Sequence, residues 1–366
     1  MPHQRPPSCA RRVVRLQSTP RTAKYQQSRR TATRAPSSNS SHSSEAWNFV
    51  SSGQEPPNSQ KPSNAPNAPL TSQEIAELMR MGSWRIGRLA CPQIELLVSQ
   101  IEAAVRDILP DVRPVKIDGT SSSFMYMDTM DVRNTHSMAH NLPDPEKTDA
   151  AWPRMQIENR IYESFCFRKL HIEVAVQQDG LQVLHCVMYP RNLFDVPILS
   201  LDFVTYNGRP TFAIVDACPV SKDLSLPKVY ATSVVSLQQK YGVQTNSNIP
   251  EWGKQIFSDF CIQMRPESPE DVGKFLKYTL AIVSFHLQFA RLALPVRAQG
   301  TGGNAKNDEK AREKAREIYE SHARYSACQL SNDKTRQILE KRFGAAMARD
   351  YMEQMMFDVE PYAREV

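Results

Sequence analysis

The sequence predicts an α+β fold, an antiparallel sheet in mid-chain with helices before and after it. Three observations carry this. Strand-like runs occur at 156–165, 167–177, 181–190, 198–206 and 210–218, with period-two alternation and short turns between them. Helical spacing of apolar residues precedes them and returns after them. Strands joined by turns this short pair antiparallel, and helices on both sides cover both faces of the sheet.

Taken in order, 71–108 reads as helical. Thr71 or Ser72 caps its start, with Glu74 supplying the capping-box carboxylate. Within it, Ile94, Leu97, Val98, Ile101, Ala104, Val105 and Ile108 keep a helical period. Segment 113–150 is irregular, with Met125, Met127 and Met130 near Asp128 and Asp131. After the strands, helices are expected at 222–240, 269–294, 305–330 and 333–354. Residues 295–307, rich in Gly, Asn and Pro, read as a loop.

The run 167–189 is the most informative. Leu170, Ile172, Val174 and Val176 point one way, and Lys169, His171 and Glu173 point the other. Gln178-Asp179-Gly180 suits a three-residue loop with a bulge at Gly180, which sets Glu173 opposite His185. A two-residue Asp-Gly turn is the competing register and would put His185 on the apolar face. In the next run Asp202 falls on the less oily face, between Leu201 and Phe203.

Charge separates the chain into two parts. Residues 1–70 hold ten Lys/Arg and two Asp/Glu among Ser, Thr, Pro and Gln, leaving 35 of 45 basic and 37 of 39 acidic residues to the rest. The formal net charge of +6 therefore belongs to the leader, and the remainder is near −2. A nucleic-acid reading loses its support. The leader cannot build a core and has the Arg- and Ser-rich, acid-poor composition of an organelle transit peptide. The bland alternative is a disordered tail that stays attached. No run of ~18 apolar residues exists to span a membrane. The expected organisation is a disordered transit peptide and linker over 1–70 and one folded domain over 71–366.

The seven cysteines form no CxxC pair, and neither GxGxxG nor a P-loop is present. Zinc, iron–sulfur, nicotinamide, flavin and nucleotide sites of the usual kind are thus not visible. Any single buried His or Asp is a structural residue more often than a functional one. Two histidines, a Glu and an Asp on one face are different, because burying them together is costly unless they pair. Carboxylates coupled to imidazole exchange protons near neutral pH. A His/carboxylate metal site is the rival reading, without HxH or HExxH spacing to support it. A Ser hydrolase lacks its nucleophile elbow. A second segment, Ser331-Asn332-Asp333-Lys334-Thr335-Arg336, reads as a capped helix start, either merely charged or an anion clamp.

Four strings, ENRIYESFCFRKLHIEVA, LQVLHCVMYPRNLFDVPILSLDFV, SNDKTRQILEKRFG and YMEQMMFDVEP, resemble the ferredoxin-dependent bilin reductases over about 75–361. Within that family the chain is most similar to the phycocyanobilin-forming branch, and the leader suits a plastid-targeted algal member. The resemblance implies a three-layer α/β/α sandwich, a central antiparallel sheet flanked by helices. It implies the four-electron reduction of biliverdin IXα to phycocyanobilin through radical states. No bound cofactor or metal is implied, reduced ferredoxin being the external electron donor. It implies a monomer in the plastid stroma.

By motif, the resemblance makes Glu173, His185 and Asp202 the proton donors, Asp202 and His185 acting on the lactam system and Glu173 on the D-ring vinyl group. His171 sits beside them. Lys169 and Lys334 become partners of the two propionates, and Asn332 and Asp333 line the same pocket. One departure stands out: Asn246, Ser247 and Asn248 precede Pro250-Glu251-Trp252-Gly253 where the family leads one to expect a basic residue. The competing functions are a sister reductase making phytochromobilin or phycoerythrobilin, and a non-catalytic bilin carrier.

Overall fold

The structure is a computed structural model, and it describes residues 84, 86, 90–115, 123–130, 153–245, 249–296 and 305–360. The chain divides into two units, Met1–Gln60, which lies outside the described residues, and Lys61–Val366. The expected helix start at Thr71, Asp131, the segment 246–248 and the loop tip at 297–304 also lie outside them.

The elements of the second unit are α1 (Pro92–Ile108), β1 (Arg113–Pro114), β2 (Tyr126–Asp128), β3 (Met155–Glu163), β4 (Phe167–Gln177), β5 (Leu181–Pro190), β6 (Ile198–Tyr206) and β7 (Arg209–Cys218). They continue with α2 (Lys228–Tyr241), β8 (Ile262–Met264), α3 (Pro269–Leu292), α4 (Ala305–Leu330), α5 (Asp333–Phe343) and α6 (Ala345–Tyr351), which runs into a π turn at Met352–Met356. The eight strands make one antiparallel sheet in the order β1-β3-β4-β5-β6-β7-β8, with β2 also on β3.

Local chemistry fixes the hairpins. Gly180 takes φ +97 in the β4–β5 loop, and a Cβ there would lie 2.0 Å from Asn207 Oδ1, so only glycine fits. The β6–β7 turn is Asn207-Gly208, both at positive φ, the two-residue turn whose twist matches that of the strands. Ser268 and Asp271 form a capping box at the start of α3, with Pro269 in its first turn.

One face of the sheet is largely apolar. Leu170, Ile172 and Val174 of β4 and Leu184, Cys186 and Met188 of β5 pack beneath α1, α2 and α3 in a single core. One polar group is enclosed on this side. Glu102 of α1 takes hydrogen bonds from Tyr162 at 2.7 Å and Trp84 at 3.2 Å, and pairs with Arg160 at 3.1 Å. The opposite face carries two separate apolar clusters. One joins Ile157, Ile161 and Ala175 to α5, α6 and the π turn, and the other joins Val187, Tyr189 and Ile198 to α4. Helices thus cover both faces of the antiparallel sheet, as the sequence leads one to expect.

Three helix expectations are corrected. Within 71–108 the described residues Trp84, Ile86, Ala90 and Cys91 are not helical, and the helix begins at Pro92. The stretch 333–354 is not one helix: Gly344 takes φ +85 between α5 and α6, and the last turn is a π turn. The helix expected from 222 begins at Lys228, after Pro227, because proline is tolerated only at a helix start. The short strands β1, β2 and β8 were too brief to show a period in the sequence.

Candidate active site

The sheet places polar residues in register. Asn159 pairs with Glu173, Glu173 with His185, and His185 with Asp202, so one row crosses β3, β4, β5 and β6. The Glu173–His185 pairing is the one the three-residue loop predicts. The next row on this face runs Ile161, His171, Val187, Ser200 and Asp216. Because side chains alternate faces, both rows point away from the apolar side. They meet α4 and the C-terminal turn at the gap between the two apolar clusters.

Hydrogen bonds link the row. Asp202 accepts from Nδ1 of His185 at 2.6 Å. Glu173 Oε2 lies 2.7 Å from the Tyr351 hydroxyl, which is itself 2.9 Å from Oδ1 of Asn159. Nε2 of His171 lies 2.7 Å from the same Oδ1. Asn159 donates its amide to the Phe124 carbonyl at 2.6 Å, so its Oδ1 must be the atom facing His171 and Tyr351. Phe357 stands edge-on to His185, their centroids 5.8 Å apart.

The hydroxyl of Tyr351 couples Asn159 to Glu173. Tyr351 has one hydroxyl proton and touches two acceptors, Asn159 and Glu173. The hydroxyl shares that proton between them, or, when Glu173 is protonated, accepts from Glu173 and donates to Asn159. Burial favours the protonated form, raising the pKa of Glu173 against the lowering effects of His185 and Tyr351. His171 is held neutral by burial and by Lys169 and His185, so its Nε2–H donates to Asn159. For His185 burial favours the neutral ring, but the charge and hydrogen bond of Asp202 outweigh this and raise its pKa. The group thus sets a carboxyl whose pKa is raised beside an imidazole whose pKa is raised, and the Asp202 side chain is 34% exposed. Nε2 of His185 and Nδ1 of His171 are buried without a protein hydrogen-bond partner. Among the described residues, no set of three or more His, Cys, Asp or Glu side chains is arranged to hold a metal ion.

A scan against family models gives the ferredoxin-dependent bilin reductases over residues 122–358. The chain belongs to this family. It is thus a ferredoxin-dependent oxidoreductase acting on a linear tetrapyrrole. Curated relatives named phycocyanobilin:ferredoxin oxidoreductase include one from Synechococcus sp., 38% identical over 206 residues (56% of this chain, 77% of the relative). Another, from Trichodesmium erythraeum, is 35% identical over 205 residues (56% of this chain, 77% of the relative). Tomato phytochromobilin synthase, solved in complex with biliverdin, shares the fold at 16% identity, with a TM-score of 0.52 over 72% of this chain and 82% of that one.

Among the residues singled out from this reductase sequence, the fold brings Glu173, His171, His185 and Asp202 together. Lys169 is buried on the same face, bonded to the backbone oxygen of Met355 at 2.9 Å and ion-paired with Asp358. Asn332, Asp333 and Lys334 stand at the first turn of α5. There Asn332 accepts from the Lys334 amide at 3.2 Å, Asp333 pairs with Arg336, and Lys334 is exposed. Sequence reasoning missed Asn159, Tyr351, Arg168 and Asp358. An Asn in the middle of an apolar strand was a usable signal for Asn159. Tyr351 follows a helix break that no period reveals.

Proposed function

We propose that this reductase converts biliverdin IXα to phycocyanobilin, taking electrons one at a time from reduced ferredoxin and protons from its own side chains. The observation that carries the reading is the row Glu173–His185–Asp202, a carboxyl and an imidazole buried side by side on adjacent strands, both with raised pKa. Each electron added to a bilin in a buried site must be matched by a proton, or charge accumulates at high cost. His185 and Asp202 serve the lactam system as a coupled pair, with Nε2 of His185 turned to the substrate. Glu173 delivers its proton to the D-ring vinyl group and is recharged through Tyr351. His171 and Asn159 orient that relay.

Lys169 and Lys334 take the propionates in this reading, and Asn332 and Asp333 line the pocket at the start of α5. Residues 1–70 serve import into the plastid and take no part in chemistry. The relatives named for this reaction support the product assignment. The test is anaerobic incubation of the protein with biliverdin, ferredoxin and a reducing system, followed by chromatography of the product. Phycocyanobilin is expected. Phytochromobilin or phycoerythrobilin would move the chain to a sister reaction, and unchanged biliverdin would make it a carrier.

A further inference from the structure

Arg168 and Lys169 are adjacent in sequence, yet both reach the same group. In a regular strand they would point to opposite faces. The β4–β5 register shifts between Phe167 and Lys169, and such a bulge re-aims a side chain. As a result Arg168 donates to the Asp358 carboxylate and to the Asp358 backbone oxygen, both at 2.7 Å, while Lys169 pairs with the other carboxylate oxygen. Both cations lie 4.6 Å from the ring centroid of Tyr189, whose hydroxyl donates to the Met356 carbonyl at 2.8 Å.

This corner is under-compensated. It holds two cations and one carboxylate. The side chains of Arg168 and Lys169 are 8% exposed, whereas Asp358 is 33% exposed, so the carboxylate is the member in contact with solvent. Arg168 Nε has no protein partner, nor has either ring nitrogen of His322, which α4 buries within electrostatic reach of Arg168. Burial followed by the Arg168 charge, partly offset by Asp358, brings Lys169 down to about 8. Without Asp358, two cations would be buried unpaired, which is strongly unfavourable. Any carboxylate arriving from solvent meets the place Asp358 already fills.

We propose that Arg168 is a further substrate-binding residue, that it and Lys169 form a clamp for one carboxylate of the substrate, and that Asp358 holds the clamp until that carboxylate replaces it. The inference rests on the functional reading above, in which Lys169 meets a propionate. A guanidinium fork grips a carboxylate through two bonds, so the incoming group gains what Asp358 gives up. Exchange of one carboxylate for another leaves the net charge of the corner unchanged.

Absorption titration of the full chain with biliverdin, and with its dimethyl ester, tests this. Asp358→Ala should bind biliverdin several-fold more tightly than the wild type, because the internal competitor is gone. The ester, which carries no carboxylate, should show no such gain. Arg168→Gln should weaken biliverdin several-fold and leave the ester nearly unchanged. Should Asp358→Ala fold poorly, Asp358→Asn keeps the shape without the charge and must show the same gain. Wild-type affinity in either folded variant, or an equal gain for the ester, overturns the clamp alone. Failure of the wild type to bind biliverdin overturns the functional reading and the clamp with it.

Discussion

The hydroxyl of Tyr351 lies 2.7 Å from Oε2 of Glu173 and 2.9 Å from Oδ1 of Asn159. A proton on Glu173 lets the carboxyl donate to Tyr351 and frees the tyrosine hydroxyl to donate to Asn159. Burial raises the pKa of Glu173, so we expect the resting protein to store an acid proton at the centre of its sheet, and infrared spectroscopy reads it. A protonated-carboxyl stretch should be present at pH 7, vanish in Glu173→Gln, and move to higher frequency in Tyr351→Phe, where the partner hydroxyl is lost. Absence of any Glu173-dependent band would mean the residue is ionised.

Glu173→Gln should also divide the reaction. Glutamine keeps the volume and can still bond Tyr351, but has no proton to give at neutral pH. The variant should bind biliverdin and reduce it at one position only, releasing a two-electron product in place of phycocyanobilin. Normal yields of phycocyanobilin would remove Glu173 from the chemistry.

Much of this site was legible because a strand has a period of two. Once Gly180 sets the hairpin, Glu173 must face His185, and a one-residue slip would send His185 to the oil. The partners from outside the meander were not legible in the same way. Tyr351 reaches Glu173 across 178 residues of chain, through a helix broken at Gly344, and no local pattern encodes that contact. Arg168 was missed for a different reason. Strict alternation puts it on the other face from Lys169, and the bulge that turns it round leaves no mark in the side-chain pattern.

A second buried acid lies in the His171 row. Asp216 of β7 is 2% exposed and accepts from the Ser258 amide at 2.9 Å and its hydroxyl at 2.5 Å, tying the segment before β8 to the sheet. Burial raises its pKa to about 6, the Ser258 hydrogen bonds opposing the rise. The folded protein then holds this proton more tightly than the unfolded chain, so stability falls as pH rises from about 4 to about 6. The gap corresponds to a loss of roughly 3 kcal/mol. Asp216→Asn should lose this slope, gaining on the wild type by that order between pH 4 and pH 7 in urea unfolding. Parallel curves for the two proteins would contradict it.

Ferredoxins are acidic, so docking should weaken with salt. Of the basic residues near α3, Lys254 and Lys274 are already paired with Glu251 and Glu270, each at 2.7 Å, whereas Arg265 and Lys277 are exposed. Arg265→Glu and Lys277→Glu should raise the KM for ferredoxin several-fold with kcat little changed, and Lys254→Glu should do less. Turnover indifferent both to ionic strength and to these changes would place the docking surface elsewhere.

Asp202→Asn tests proton supply by the polar row most directly. Asparagine keeps the shape and a hydrogen bond for His185, so biliverdin should still bind with little loss. The variant lacks the carboxylate that raises the pKa of the imidazole. The first electron should enter, and the matching proton should not follow. Stopped-flow absorption and electron paramagnetic resonance under anaerobic reduction should then show a long-lived bilin radical and little phycocyanobilin. Turnover at the wild-type rate, or failure to bind biliverdin at all, would contradict the role given to Asp202 and His185.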